Sequence, residues 1–207
     1  MAESGSVGRA PGRPRADEGL DTRADLIRVA RGLFATRGYA GTSVSEIGAG
    51  AGVSVPVLYQ RFGNKAGLFI AVAEDVYDLG ISRLNAAIDG VDDFDVAVSR
   101  SLDEFAGLYR LDPTLAAMVV MVLVEAERTA ELSSGLRPML RQLREFSDRL
   151  AGLAPESVAA DGRERRDLSR ALVSMLSGLM VSSMLMQRAN DYEGMVAALR
   201  GLLSQRG

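Results

Sequence analysis

The chain has no cysteine, no histidine and no tryptophan, and Lys65 is its single lysine beside 23 arginines. Without cysteine there is no disulfide framework, no thiolate metal site and no thiol nucleophile. Without histidine there is no Ser–His or Cys–His catalytic pair, no imidazole ligand and no histidine pH switch. Carboxylates, hydroxyls, arginines and one amine remain, a set suited to binding rather than catalysis, so no enzyme, cofactor or metal site is expected. Long apolar runs are missing too. The longest, Leu115–Val124, has ten residues, half of the roughly 20 that cross a bilayer, and reads as a buried helix. The N-terminus has no apolar h-region, so no secretory signal is expected and the cytoplasm is the default location.

What is present is ordinary in bulk and uneven in distribution. The 207 residues are 47% hydrophobic and 25% charged, with a net charge of −3, a composition typical of a globular protein with a real core. Residues 1–70 hold nine basic and six acidic residues, whereas the rest holds fifteen basic and twenty-one acidic ones. A basic head on an acidic body points to a polyanionic partner for the head alone.

Residues 1–20, rich in Gly, Pro, Ser and Ala without periodicity, read as a disordered arm. Beyond them the pattern is helical throughout, for an all-α fold of about nine helices. Asp21 or Thr22 caps a first helix carrying Leu26, Ala30, Leu33 and Phe34, which stops at Gly38. Ser43 and Glu46 have capping-box spacing, with Thr42 a competing cap, and open a short helix to about Gly50. Ser54 caps another ending near Phe62, and Asn64 caps a long helix from Lys65 to about Ile88. Further starts are expected at Asp92-Asp93, at Asp112-Pro113, at Ser133 or Ser134, at Arg165 for a helix reaching Arg188, and at Asp191. This organisation divides the chain into an arm (1–20), a three-helix head (21–66) and a helical body (67–207).

Between Thr42 and Phe62 two short helices meet at the turn Ala51-Gly52-Val53, the specification of a helix-turn-helix. Val44 and Ile47 face inward, Ala51 is small where the helices cross, Gly52 permits the turn, and Val53, Leu58 and Phe62 pack back. The second helix is then free to enter a major groove.

The stretch AxxLFATRGYAGTSVSEIGAGAGVSVPVLYQRFGNKAGL resembles the DNA-binding domain of the TetR (tetracycline-repressor-like) regulators. The resemblance spans residues 22–70 and rests on Leu33-Phe34, Gly38-Tyr39, Thr42, Ile47, Ala51 to Ser54, Leu58-Tyr59, Phe62, Lys65 and Leu68. Gly48, Arg61 and Ala66 stand where the family often has Ala, His and an acid. Val55 stands where relatives are often basic, which bears on the operator sequence rather than on DNA binding. The resemblance implies a homodimeric transcriptional regulator whose body binds a small-molecule effector. We read it as a repressor released from a palindromic operator by a small, largely apolar ligand. An activator or ligand-independent regulator remains open, as does a helical ligand- or partner-binding protein with a vestigial helix-turn-helix.

Roles follow by residue. Thr42 and Ser54, at helix N-termini, are expected to offer hydroxyl and backbone N–H groups to phosphates. By the resemblance, Tyr59 and Lys65 reach the DNA backbone. Val55, Pro56 and Val57 begin the reading helix; Pro56 and Val57 are limited to apolar contact with thymine methyls. Gln60 is able to bridge adenine N6 and N7. Arg13 and Arg15, on a flexible tether, read as a minor-groove arm. In the body, Phe105, Tyr109, Met118, Met121, Met139, Phe146, Met175 and Leu179, with Met180 and Met184, are candidates for a deformable apolar pocket. Ser174, Gly178, Ser182 and Leu185, with Met195, Leu199 and Leu202, mark the two C-terminal helices that, by the resemblance, build a four-helix dimer interface.

Overall fold

The computed structural model describes residues 16–186 and 188–204, and among them are nine helices and no strand. The head comprises α1 (Ala16–Arg37), α2 (Val44–Gly50) and α3 (Val55–Phe62). The body comprises α4 (Lys65–Ala87), α5 (Phe94–Leu111), α6 (Pro113–Arg128), α7 (Ala130–Gly152), α8 (Gly162–Leu185) and α9 (Ala189–Ser204). Short polar side chains start several of them, at the expected positions for Asn64, Asp93 and Asp112 and before the expected position for Asp161. Asn64, Asp93, Asp112 and Asp161 each accept a backbone N–H of the following first turn, satisfying donors that a helix start otherwise leaves orphaned.

Several boundaries differ from the sequence reading, each for a local reason. α1 begins at Ala16, so residues 16–20 are helical rather than part of a disordered arm. Once the helix is nucleated around Leu26, each further residue toward Ala16 adds a hydrogen bond without a new nucleus, and no Pro stands between Ala16 and Leu26 to stop it. α7 begins after Thr129, four residues before the expected Ser133. Thr129 alone is extended (φ −115°, ψ 99°), and its hydroxyl bonds back to Glu125 of α6 instead of capping α7. This register places Leu132, Leu136, Met139 and Leu143 on one buried face of α7. α8 spans Gly162–Leu185 instead of reaching Arg188, because Asp161 caps it earlier and Met186 turns extended.

α4 runs through the middle of the molecule, packing on α1 and α3 at its start and on α5, α6 and α7 further along. α8 packs against α6 and α7, while α9 lies mainly on α5. One apolar core is continuous from Leu26 and Phe34 in the head, through Phe69 and Val72 of α4, to Met118, Leu136 and Leu176 in the body. α8 is long and apolar enough to cross a membrane by length and composition, and only 33% of its most apolar stretch is buried in this chain. Leu172, Leu176, Leu179 and Met180 form its inward face.

Candidate nucleic-acid interface

The helix-turn-helix is built as its residues require. Ser43 accepts the N–H of Glu46 at 3.2 Å while the Glu46 carboxylate accepts that of Ser43 at 3.3 Å, so Ser43 and not Thr42 is the cap. Arg37 adds an ion pair to Glu46 at 2.6 Å. Bonds from Arg37 and from Ser43 hold the Glu46 carboxyl below the ordinary range. Gly52 turns the chain with φ +65°, a conformation open mainly to glycine. Gly48 has a role that its departure from the family pattern did not reveal: a Cβ there would lie 2.6 Å from the Val53 carbonyl oxygen. Ile47 and Leu58 are fully buried between the helices.

The candidate DNA contacts divide into three groups. Ser54, Pro56, Tyr59 and Gln60 are exposed on the reading helix, Val55 and Val57 are half-buried beside them, and the Ser54 side chain makes no cap bond of its own. Thr42 is a correction. It is 3% exposed, and its hydroxyl donates to the carbonyls of Gly38 and Leu33 at the end of α1, at 2.8 and 3.2 Å. That hydroxyl therefore closes the α1–α2 corner and faces no phosphate. Lys65 is half-buried, with its ammonium 4.6 Å from the centre of the Tyr39 ring and 3.5 Å from the Ala40 carbonyl oxygen, so it also braces that corner. Arg13 and Arg15 lie outside the described residues.

The head is gripped by the body at two places. Phe34, Tyr39 and Phe69 form an aromatic triangle with centroid separations of 5.0 to 6.2 Å, and the Tyr39 hydroxyl donates to Glu131 at the start of α7. Burial, then the bond to Glu131, pushes the Tyr39 phenol well above its usual range, so it remains a donor. About one turn earlier on α1, Arg31 donates to Asp112 at 2.5 Å and to Thr114 at 3.1 Å, at the N-terminus of α6. Burial opposes ionisation of Asp112, but the Thr114 hydroxyl and N–H and the Arg31 guanidinium outweigh it and hold its pKa low.

Residues 26–72 match the family model described as "Bacterial regulatory proteins, tetR family". The chain belongs to the TetR family. It is similar to the HTH-type transcriptional regulator CymR of Pseudomonas putida, with 25% identity over 87% of this chain and 88% of that one. It is also similar to the HTH-type transcriptional activator FasR of Mycolicibacterium smegmatis, with 38% identity over 33% of this chain and 31% of that one. The fold is that of the transcriptional regulator FadR from Bacillus subtilis, solved in complex with stearoyl-CoA. The TM-score is 0.72 at 18% identity, over 87% of this chain and 96% of that one. This TetR-family chain is therefore an all-α, DNA-binding transcriptional regulator.

The body of this TetR-family protein contains a small apolar cavity of about 50 Å³ walled by α4, α5, α6, α7 and α8. Of the sequence candidates, Phe105 and Tyr109 line it, as does Met180. Met118, Met139, Phe146 and Leu179 are buried and absent from its wall. Met121 packs half-buried against the core, its sulfur 3.9 Å from where a Gly38 Cβ would stand, and Met184 is exposed. Met175 lines a separate, wider cleft of about 780 Å³ between α5, α8 and α9. Missed by the sequence reading were Val76, Tyr77, Gly80, Ile81 and Leu84 of α4. Gly80, midway along a long helix and without a turn to explain it, was the available signal.

Of the dimer candidates, Ser174 and Gly178 are exposed on α8, with Leu185 77% exposed, and Leu202 of α9 is 69% exposed. Val181 and Met184 extend this apolar face. Ser182 is half-buried. Met195 and Leu199 instead turn inward against the chain's own core, on the α9 face that also buries Tyr192 and Val196.

Proposed function

We propose that this regulator is a homodimeric repressor, released from a two-fold operator by a small, largely apolar ligand bound in the cavity against α4. The observation that carries the reading is the span of one helix. α4 starts at Lys65 beside the reading helix and supplies Val76, Tyr77, Gly80, Ile81 and Leu84 to the cavity wall. A ligand that parts α4 from α5 and α6 tilts that rod and moves the head attached to it. The cavity, at about 50 Å³, is well below the ~150 Å³ that accommodates benzene, so occupancy requires such a parting. Only a ligand that prefers the displaced state shifts the equilibrium. FadR, solved with stearoyl-CoA, supports effector binding in a body of this fold. The match to the activator FasR covers 68 residues, a third of this chain, and so does not decide the sign of regulation. A protein bound across a promoter excludes polymerase without further machinery, which favours repression. These features suit a cytoplasmic protein.

Selection of bound DNA from a random pool, repeated with apolar ligands present, tests the whole reading. It should return inverted half-sites about 34–36 Å apart, with recovery falling when an effector is added; a selection that enriches nothing would sink it. Tyr59→Ala is expected to weaken binding to all sequences. Gln60→Ala should instead relax preference at one base pair per half-site, by ~1–3 kcal/mol. Sequencing the selected pools of the two variants separates these effects.

The exposed α8–α9 face supports the dimer. A Cβ at Gly178 would meet nothing within 4 Å, so Gly178→Arg leaves the chain's own packing intact and raises helix propensity by several tenths of a kcal/mol. It is expected to yield a folded monomer with at least ~100-fold weaker operator binding, since it loses the second half-site. Sedimentation and operator titration check it; an undiminished dimer would place the interface elsewhere.

A further inference from the structure

Among the described residues no charged side chain lines the small cavity, and the only side-chain oxygens on its wall are the hydroxyls of Tyr77 and Tyr109. The Tyr109 hydroxyl has a long bond of 3.4 Å to the Met186 carbonyl. The Tyr77 hydroxyl is buried and has no partner among the described residues. A buried phenol left without a hydrogen bond is unusual and unfavourable, and here it belongs to a residue on the wall of an otherwise apolar space.

We propose that the effector is a neutral molecule, apolar except for a hydrogen-bond acceptor such as a ketone, ester or ether oxygen, and that the Tyr77 hydroxyl donates to that acceptor. This rests on the small cavity being the effector site. Three considerations select the class. A phenol is a stronger donor than acceptor, because its lone pair is delocalised into the ring, and burial raises the Tyr77 pKa so that the proton stays in place. An anion is disfavoured, since among the described residues no Arg or Lys lines the wall to compensate its desolvation. A pure hydrocarbon leaves the hydroxyl unpaired and forfeits the discrimination that a polar group in a dry site provides.

The experiment compares three probes of matched size with the full-length protein: acetophenone, its alkene isostere α-methylstyrene, and benzoate. Binding is measured by calorimetry to wild type, Tyr77→Phe and Gly80→Leu. Wild type is expected to prefer acetophenone over both others by about tenfold, the order of one hydrogen bond in a dry site. Tyr77→Phe should erase the preference over the alkene, lowering ketone affinity while leaving alkene affinity and Tm unchanged or raised. A Cβ at Gly80 has only Leu108 Cδ1 nearby, at 3.9 Å, so leucine there grows into the cavity and should block all three. If the probes bind and Gly80→Leu blocks them, but the ketone has no advantage or Tyr77→Phe leaves it intact, the acceptor assignment falls and the effector site stands. A preference for benzoate, or a Tm drop in Tyr77→Phe that reveals a partner for the hydroxyl, also overturns the assignment. If no probe binds, or all bind equally to Gly80→Leu, the effector site itself is wrong and the inference falls with it.

Discussion

Gly67→Ala is expected to cost about 3 kcal/mol of stability, at the upper end for overpacking, and to abolish tight operator binding. Gly67 lies in the first turn of α4, where its N–H is bonded to the Asn64 cap at 2.7 Å. A Cβ at this position would stand 2.0 Å from the carbonyl oxygen of Phe62, the last residue of the reading helix. The obstacle is backbone, so no rotamer change relieves it. Either α3 swings away from α4, or the cap breaks and the first turn of α4 unwinds. Both displace the side chains that face DNA relative to the rod that carries them. A protein of this length should lose about 10 °C in Tm from such a change. Thermal melts together with operator titration check the prediction, and wild-type values in both would show that the α3–α4 seam has slack.

Arg31→Met is expected to separate ligand binding from DNA release. Arg31 is 17% exposed, with Asp112 at 2.5 Å and Asp75 at 3.8 Å. Through it, the N-terminus of α6 holds α1. Leu115, Ala116 and Val119 of the same helix line the small cavity, so a ligand that displaces α6 there is expected to act on the head through this pair as well as through α4. Methionine keeps much of the apolar stem and removes the charge. Asp112 is not orphaned, because the Thr114 N–H and hydroxyl still donate to it at 2.9 and 2.7 Å. Operator affinity without ligand should change little, and so should ligand affinity without DNA. The ligand concentration for half-release should rise about tenfold, within the 1–3 kcal/mol usual for coupling between sites. Anisotropy titrations of labelled operator measure it. Unaltered release would mean that α4 alone carries the signal. Because the Asp112 pKa is depressed in the folded state, its contribution to stability is complete above the unfolded value near ~4. It is lost as pH falls through the folded value.

The head was legible because its constraints are local. Ser43 and Glu46, Gly52, and Leu58 with Phe62 announce cap, turn and packing within a short span, and each behaves as its spacing implies. Asp112-Pro113 likewise starts α6 as read. The features that local spacing does not reveal are those whose partner is distant or whose direction is a matter of three dimensions. Nothing in the neighbourhood of Thr42 says that its hydroxyl turns back to Gly38, and nothing near Lys65 says that its amine rests on the Tyr39 ring. The cavity was least legible. Met118 and Tyr77 are equally buried apolar-face residues in sequence, and which one borders a void depends on small misfits among five packed helices rather than on periodicity.

The aromatic triangle also limits how modular the protein is. Phe34 and Tyr39 precede residue 66 and Phe69 follows it, while the Tyr39 hydroxyl and the Arg31 guanidinium are answered by Glu131 and Asp112 far along the chain. Transplanting residues 21–66 onto the body of a relative would strip the graft of one ring and two polar partners. The exchangeable cassette is therefore discontinuous in sequence: the head, the first turns of α4, and the two helix starts that hold it.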